Sequence, residues 1–189
     1  NSSRFRMDED VPLVVPEVNG KDVLKHNGII ANPNCSTIIG CVAVHAIHKT
    51  NPIKAMNVST YQAVSGAGVN GMREYENQLH AIANNEPIEV NYFAYQIASN
   101  LIPQIGGFND NGYTSEEMKM QNEGRRILHA PDLLVNCTCV RVPVLRSHSL
   151  SMTLNLENEM DVKEVKELID HAKGCKLVDN PANKEYPMP

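Results

Sequence analysis

Tryptophan is missing from this sequence, phenylalanine occurs three times, and aromatic residues make up only 5% of the 189 positions. There is no block of basic side chains, and 17 Lys+Arg stand against 22 Asp+Glu for a formal charge of −5. A nucleic-acid groove needs clustered cations and stacking rings, and an anionic membrane surface needs the cations, so both classes of partner are excluded. No run of eighteen apolar residues exists to span a bilayer. No C-x-x-C pair occurs among the five cysteines, Cys35, Cys41, Cys137, Cys139 and Cys175. An odd number of thiols in a chain large enough to bury a core points to reduced cysteines and a cytoplasmic setting. His45 and His48 stand three apart with no third ligand nearby, so no metal site is expected.

What is present is ordinary globular composition, 42% hydrophobic and 21% charged, which fits one domain, or one domain with a remnant of a second. The chain opens on Asn1 and ends Tyr186-Pro-Met-Pro189; the expectation is a piece of a longer protein. Ile29-Ile-Ala31 reads as a short strand. Residues 35–50 are apolar nearly all round and suit a buried helix closed by Asn51-Pro52. From Ala55 to Val64 the period of two puts Met56, Val58, Thr60, Gln62 and Val64 on one strand face. A helix to Asn84 is expected to turn Met72, Tyr75, Leu79 and Ile82 inward. Residues 86–113 read as loops and short strands. Thr114-x-x-Glu117 is a capping box opening a helix to about His129. Strands follow over 133–144 and 150–156. A last helix is capped by Asp161, faces Val162, Val165, Leu168 and Ile169 inward, and stops before Gly174. Lys176–Val178 reads as a short strand. Strands and helices mix without strict βαβ alternation, so the class is α+β, a mixed sheet with helices packed on it.

Several residues could carry chemistry. Asn34 is a good N-cap, which puts Cys35 in the first turn of a helix, where exposed amides and the helix dipole favour a thiolate nucleophile; a buried structural cysteine is the rival reading. Gly66-x-Gly68-x-x-Gly71 matches the dinucleotide fingerprint in form. A tight turn needing positive φ, or a loop touching a cofactor held elsewhere, fits it as well. Glu116 and Lys119 share a helix face and could meet one ligand, or simply pair at a surface. Arg141 sits on an apolar strand face with Cys137 and Cys139 and needs a carboxylate, from a ligand or from the protein. His148, in a turn flanked by Ser147 and Ser149, can serve as acid and base, or be merely solvated.

Taken in order, the strings Asn32-Pro-Asn-Cys-Ser-Thr37, Ser59-Thr-Tyr-Gln-Ala-Val-Ser-Gly-Ala-Gly68, Cys139-Val-Arg-Val-Pro-Val144 and Ser147-His-Ser149 resemble the aspartate-semialdehyde dehydrogenases, and Asn1-Ser-Ser-Arg-Phe-Arg6 and Asp10–Val18 fit them too. The resemblance covers the whole chain. It implies a glyceraldehyde-phosphate-dehydrogenase-like catalytic domain, with residues 1–34 as the tail of an NADP-binding domain and 35–189 as a catalytic and dimerisation domain incomplete at its C-terminus. It also implies that most of the Rossmann domain lies outside the matched residues. The implied reaction is NADPH-dependent reduction of β-aspartyl phosphate to aspartate β-semialdehyde and phosphate, on the route to lysine, methionine and threonine. Cys35 would be the nucleophile, His148 the general acid/base, and Gln62 would orient the thioacyl group. Arg141 and Glu116 would hold the substrate's carboxylate and amino group, and Arg6 and Lys119 its phosphate. Asn34, Ser65 and Gly66 would lie near the nicotinamide. The resemblance also implies a homodimer or homotetramer, and an isolated chain with little activity. Three rivals stand beside it: another acyl-phosphate or aldehyde dehydrogenase (N-acetyl-glutamyl-phosphate reductase, glyceraldehyde-phosphate dehydrogenase), a non-catalytic dimerisation module, and a Cys/His hydrolase.

Overall fold

A computed structural model describes residues 3–189; Asn1 and Ser2 of the opening motif lie outside the described residues. Five α-helices and three strands follow in the order α1 (Pro16–Asn19), α2 (Cys35–Thr50), β1 (Ile53–Gln62), α3 (Gly68–Asn84), α4 (Ser115–Ile127), β2 (Leu134–Arg141), β3 (Ser149–Leu156) and α5 (Val162–Asp170). The strands form one sheet in the order β2-β1-β3. The class is α+β, as the mixture of periods implied. The chain divides into two compact units. One comprises residues 3–58, 118–137 and 152–187, and the other residues 59–117, 138–151 and 188–189.

In the first unit α2 is buried on Ser36, Thr37, Gly40, Cys41, Val44 and Ile47 and packs on α1 and α5. Its start is set by Asn34, whose side-chain oxygen accepts from the amides of Ser36 and Thr37. Two of the donors that a helix N-terminus leaves without a partner are thus satisfied. Asp161 caps α5 through the Lys163 amide, 2.6 Å. Of the four residues expected to face inward there, Val165, Leu168 and Ile169 are half-buried and Val162 is exposed. The expected strands at 29–31 and 176–178 do not form. Ala31 makes only an isolated parallel bridge to Leu13, and 176–178 are irregular. Neither segment has a run of partners to satisfy its backbone, and an apolar triplet alone makes no strand.

In the second unit the core is Val64, Ile97 and Ile102, with Met72, Tyr75 and Phe93 against it. Helix α3 keeps the expected face at Met72 and Tyr75, which are half-buried, and departs from it at Leu79 and Ile82. It buries Gly71, Glu74, Gln78 and Ala81, while Leu79 and Ile82 are exposed. The reason is the irregular stretch 86–113. Its amides find their acceptors on α3, with Glu74 receiving those of Asn91, Tyr92 and Phe93, and Gln78 those of Ile97 and Ala98. A segment without its own ladder must be satisfied by side chains, so the polar face turned inward. The capping box at the start of α4 is closed both ways. The Thr114 amide donates to Glu117 and the Glu117 amide to Thr114 Oγ1.

Candidate functional site

The strand alternation of β1 holds as read: Met56, Val58, Thr60 and Gln62 are buried and their neighbours Asn57, Ser59 and Tyr61 exposed. The face ends at Gln62. Its amide is fixed from both sides, since Thr60 Oγ1 donates to its oxygen at 2.9 Å and its Nε2 donates to Glu116 Oε1 at 3.1 Å. Glu116, on the first turn of α4, is 8% exposed. Next in the chain, Ala63 gives both its backbone groups to side chains. Its carbonyl accepts from Arg141 Nη1 at 2.8 Å, and its N–H donates to His148 Nδ1 at 3.0 Å. Arg141 is the last of the buried alternate positions of β2. Its backbone is paired in both directions with Ile102, so the side chain is held on a rigid edge. The second unit thus brings Gln62, Glu116, Arg141 and His148 together around Ala63.

The apparent dinucleotide fingerprint has another job here. Gly66 is bare because a Cβ there would come 2.8 Å from Arg141 Nη1 and 3.2 Å from His148 Cε1. Gly68 takes φ +76°, and Gly71 is packed on Ala67. The amides of Ser65 and Gly66 are already given to the carbonyls of Leu145 and Ala63. A pyrophosphate needs several such amides at once, so this turn does not fit the phosphates of a dinucleotide. What sits against Gly66 is the pair Arg141 and His148.

His148 is half-buried, and its pKa lies below the ordinary histidine value. Burial is the main cause, Arg141 adds to it, and Glu116 pulls the other way. Ser147 just before it takes φ 71°.

The first unit holds the remaining residues. Cys35 is exposed, in the first turn of α2. The segment leading to it is pinned by Glu123, a carboxylate only 2% exposed. Its Oε2 accepts the Asn34 amide at 2.6 Å and its Oε1 accepts Arg6 Nη1 at 3.0 Å, while Arg6 Nε donates to the Asn32 carbonyl at 2.9 Å. Arg6 is held in turn by Arg126, which donates to its carbonyl. Lys119 is half-buried one turn before Glu123 on α4. Cys41 is buried and its thiol is pushed up to about 12, by burial first and by the Glu123 charge second. Glu123 escaped the sequence reading. Its signal was an acidic residue on the stripe Glu116, Met120, Glu123, Ile127, all buried, at spacings of four, three and four.

No disulfide joins the described cysteines, and no three His, Cys, Asp or Glu among the described residues are placed to share a metal. No helix among the described residues is long and apolar enough to cross a membrane.

Comparison with known proteins agrees with this architecture. Residues 44–189 match the family model described as semialdehyde dehydrogenase, dimerisation domain. The aspartate-semialdehyde dehydrogenase of Bacillus subtilis is 50% identical over all of this chain and 57% of its own length. Among solved structures, aspartate semialdehyde dehydrogenase II from Vibrio cholerae, complexed with ASA, superposes with a TM-score of 0.90 at 45% identity, over 92% of this chain and 52% of that one. The Candida albicans enzyme with NADP gives 0.66 at 25% identity, over 90% and 47%. The chain therefore spans about half the length of the relatives it matches. On the family match and the shared fold, it belongs to the semialdehyde dehydrogenase dimerisation-domain family.

Proposed function

We propose that this chain carries the acyl-transfer machinery of an aspartate-semialdehyde dehydrogenase: conversion of β-aspartyl phosphate, through a thioacyl group on Cys35, to aspartate β-semialdehyde and phosphate, with NADPH as reductant. The observation that supports this most is the set around Ala63. A buried guanidinium and a buried carboxylate are held on rigid elements beside a glutamine fixed at both ends and an imidazole. An amino acid side chain activated as an acyl phosphate carries one carboxylate and one ammonium, and Arg141 and Glu116 are their complements. Arg6 and Lys119 supply the two cations that a leaving phosphate needs. Cys35 has the helix N-terminus that favours a thiolate. Gln62 would orient the thioacyl intermediate, and His148 would be the general acid/base.

When bound, NADPH would supply the hydride; Asn34, Ser65 and Gly66 would border its nicotinamide ring. In the whole enzyme residues 1–34 would be the tail of the cofactor domain and 35–189 most of the catalytic and dimerisation domain, and this chain alone would show little reduction. Exposed Leu79 and Ile82 on α3 suit burial against a second copy, as homodimer or homotetramer. A cytoplasmic, reducing compartment suits five cysteines with no disulfide. The test is alkylation by iodoacetamide at neutral pH. Cys35 reacting well ahead of a model thiol supports the reading; Cys35 reacting no faster favours a non-catalytic dimerisation module.

A further inference from the structure

Resting on that reading, Glu123 stands between the two groups whose spacing acyl transfer depends on, the nucleophile and the cation that receives the leaving phosphate. It lies on α4 and is 2% exposed. A carboxylate taken that far out of water is costly unless donors meet its oxygens. Many donors could meet that need. The two it has are Arg6 Nη1, 3.0 Å from Oε1, and the Asn34 amide, 2.6 Å from Oε2. Arg6 closes the ring through Nε, which donates to the Asn32 carbonyl at 2.9 Å. Its own carbonyl accepts from Arg126 Nη1 at 2.7 Å, so α4 holds Arg6 both by its backbone and by its guanidinium. With Nε and Nη1 placed, the third nitrogen, Nη2, has a set position from which to meet an anion. On the other side, the Asn34 side chain caps the amides of Ser36 and Thr37. What fixes Asn34 therefore fixes the first turn of α2, and with it Cys35.

We infer that Glu123 is a positioning residue of the acyl-transfer step: its two oxygens hold the Arg6 guanidinium and the turn carrying Cys35 in one register, so that nucleophile and leaving-group cation keep their spacing while phosphate arrives and departs. In that step the Cys35 thiolate forms the C–S bond and the C–O bond to phosphate breaks. The phosphate departs as an anion beside Arg6, with the electron pair of the broken bond. An arginine without a fixed partner follows the anion it binds. An arginine tied to Glu123 and Asn32 stays, and the anion must come to it. Lys119, four residues before Glu123 on the same helix face, is placed by the same rigid element. Both cations assigned to the phosphate are thereby referred to α4. A carboxylate suits this task because it has two acceptor oxygens and no donor, whereas a glutamine has one acceptor oxygen and one donor nitrogen.

Single-turnover acylation of Cys35 by β-aspartyl phosphate is the test. Glu123→Gln can serve the Asn34 amide or Arg6 but not both. Its maximal acylation rate should fall by about a hundredfold, the loss typical of an ångström of misplacement. Its half-saturating concentration should not rise, because the charge on Arg6 remains. A raised half-saturating concentration with an unchanged maximal rate overturns the inference. Alkylation of Cys35 by iodoacetamide releases no phosphate and should fall far less; equal losses in alkylation and acylation mean a loosened turn only, and overturn it too. Glu123→Gln combined with Arg6→Lys should lose no more than the worse single variant, and losses that multiply overturn the coupling. A second arm needs no variant. In the 15N-labelled wild-type chain, inorganic phosphate should move the Arg6 Nε–H and Asn34 amide resonances together, because both residues load one carboxylate. An Asn34 amide that stays while Arg6 moves overturns the role of Glu123 alone. No acylation of wild-type Cys35 overturns the proposed function, and the role of Glu123 with it.

Discussion

In the first unit a buried carboxylate gathers what surrounds it: Glu123 accepts the Asn34 amide on one oxygen and Arg6 on the other. In the second unit the roles are reversed. The peptide of Ala63 is the centre, and an arginine and a histidine reach in to take its carbonyl and its amide. One arrangement uses an ionised group to fix backbone, and the other uses backbone to fix ionisable groups. The difference shows in what each leaves to chemistry. Burial first and the Glu123 charge second push the Cys41 thiol up to about 12, whereas the Ala63 peptide leaves a guanidinium and an imidazole with set orientations.

The comparison is broken most severely at Glu123. Glu123→Ala removes the buried partner of Arg6 and strands the Asn34 amide, and should cost about 3–5 kcal/mol in urea unfolding. Glu123→Gln keeps an acceptor and should cost clearly less; equal losses would mean that the charge is irrelevant. Truncation at Arg141 should weigh less on stability, about 1–3 kcal/mol for the Ala63 carbonyl left without its donor. Arg141→Met should still abolish most acylation of Cys35. Asn34→Ala removes the cap of α2 and should cost about 1 kcal/mol, and it should slow Cys35 alkylation while Cys41 stays unreactive in both forms.

A smaller effect concerns pH. The folded pKa of His148 lies below its unfolded value, so between the two the unfolded chain binds more protons. Stability should therefore fall as pH drops from above the ordinary histidine value through that window, and His148→Gln should flatten part of this slope. His45 and His48 are shifted the same way, burial being the main cause for each, so part of the slope should remain. The smallest effect on the fold is at the exposed α3 face. Leu79→Arg with Ile82→Arg should leave unfolding within about 0.5 kcal/mol per change and yet shift the chain towards monomer in sedimentation. An unchanged assembly would place the second copy elsewhere.

How far the sequence could be read follows from where each signal resides. The cap at Asn34, the capping box at Thr114 and the alternation of β1 are local, so Cys35 and Gln62 were placed from neighbours alone. The inward face of α3 was read only in part: Met72 and Tyr75 pack on the core as expected, but apolar spacing also favoured Leu79 and Ile82, which are exposed. The actual face is chosen by amides of residues 91–98, which no helical period encodes. Glu123 was missed for a similar reason: its partners lie 89 and 117 residues away. The glycine run looked like a cofactor loop because glycine marks close approach of any kind, and at Gly66 the approaching groups belong to Arg141 and His148.

The central claim is that Cys35 takes up an acyl group from an acyl phosphate. Mass spectrometry of the chain after exposure to β-aspartyl phosphate reads this directly. The account predicts an aspartyl adduct on Cys35, lost in Cys35→Ser and strongly reduced in Arg141→Met. No adduct on an intact, alkylation-competent Cys35, or an adduct on another of the five cysteines, would contradict it.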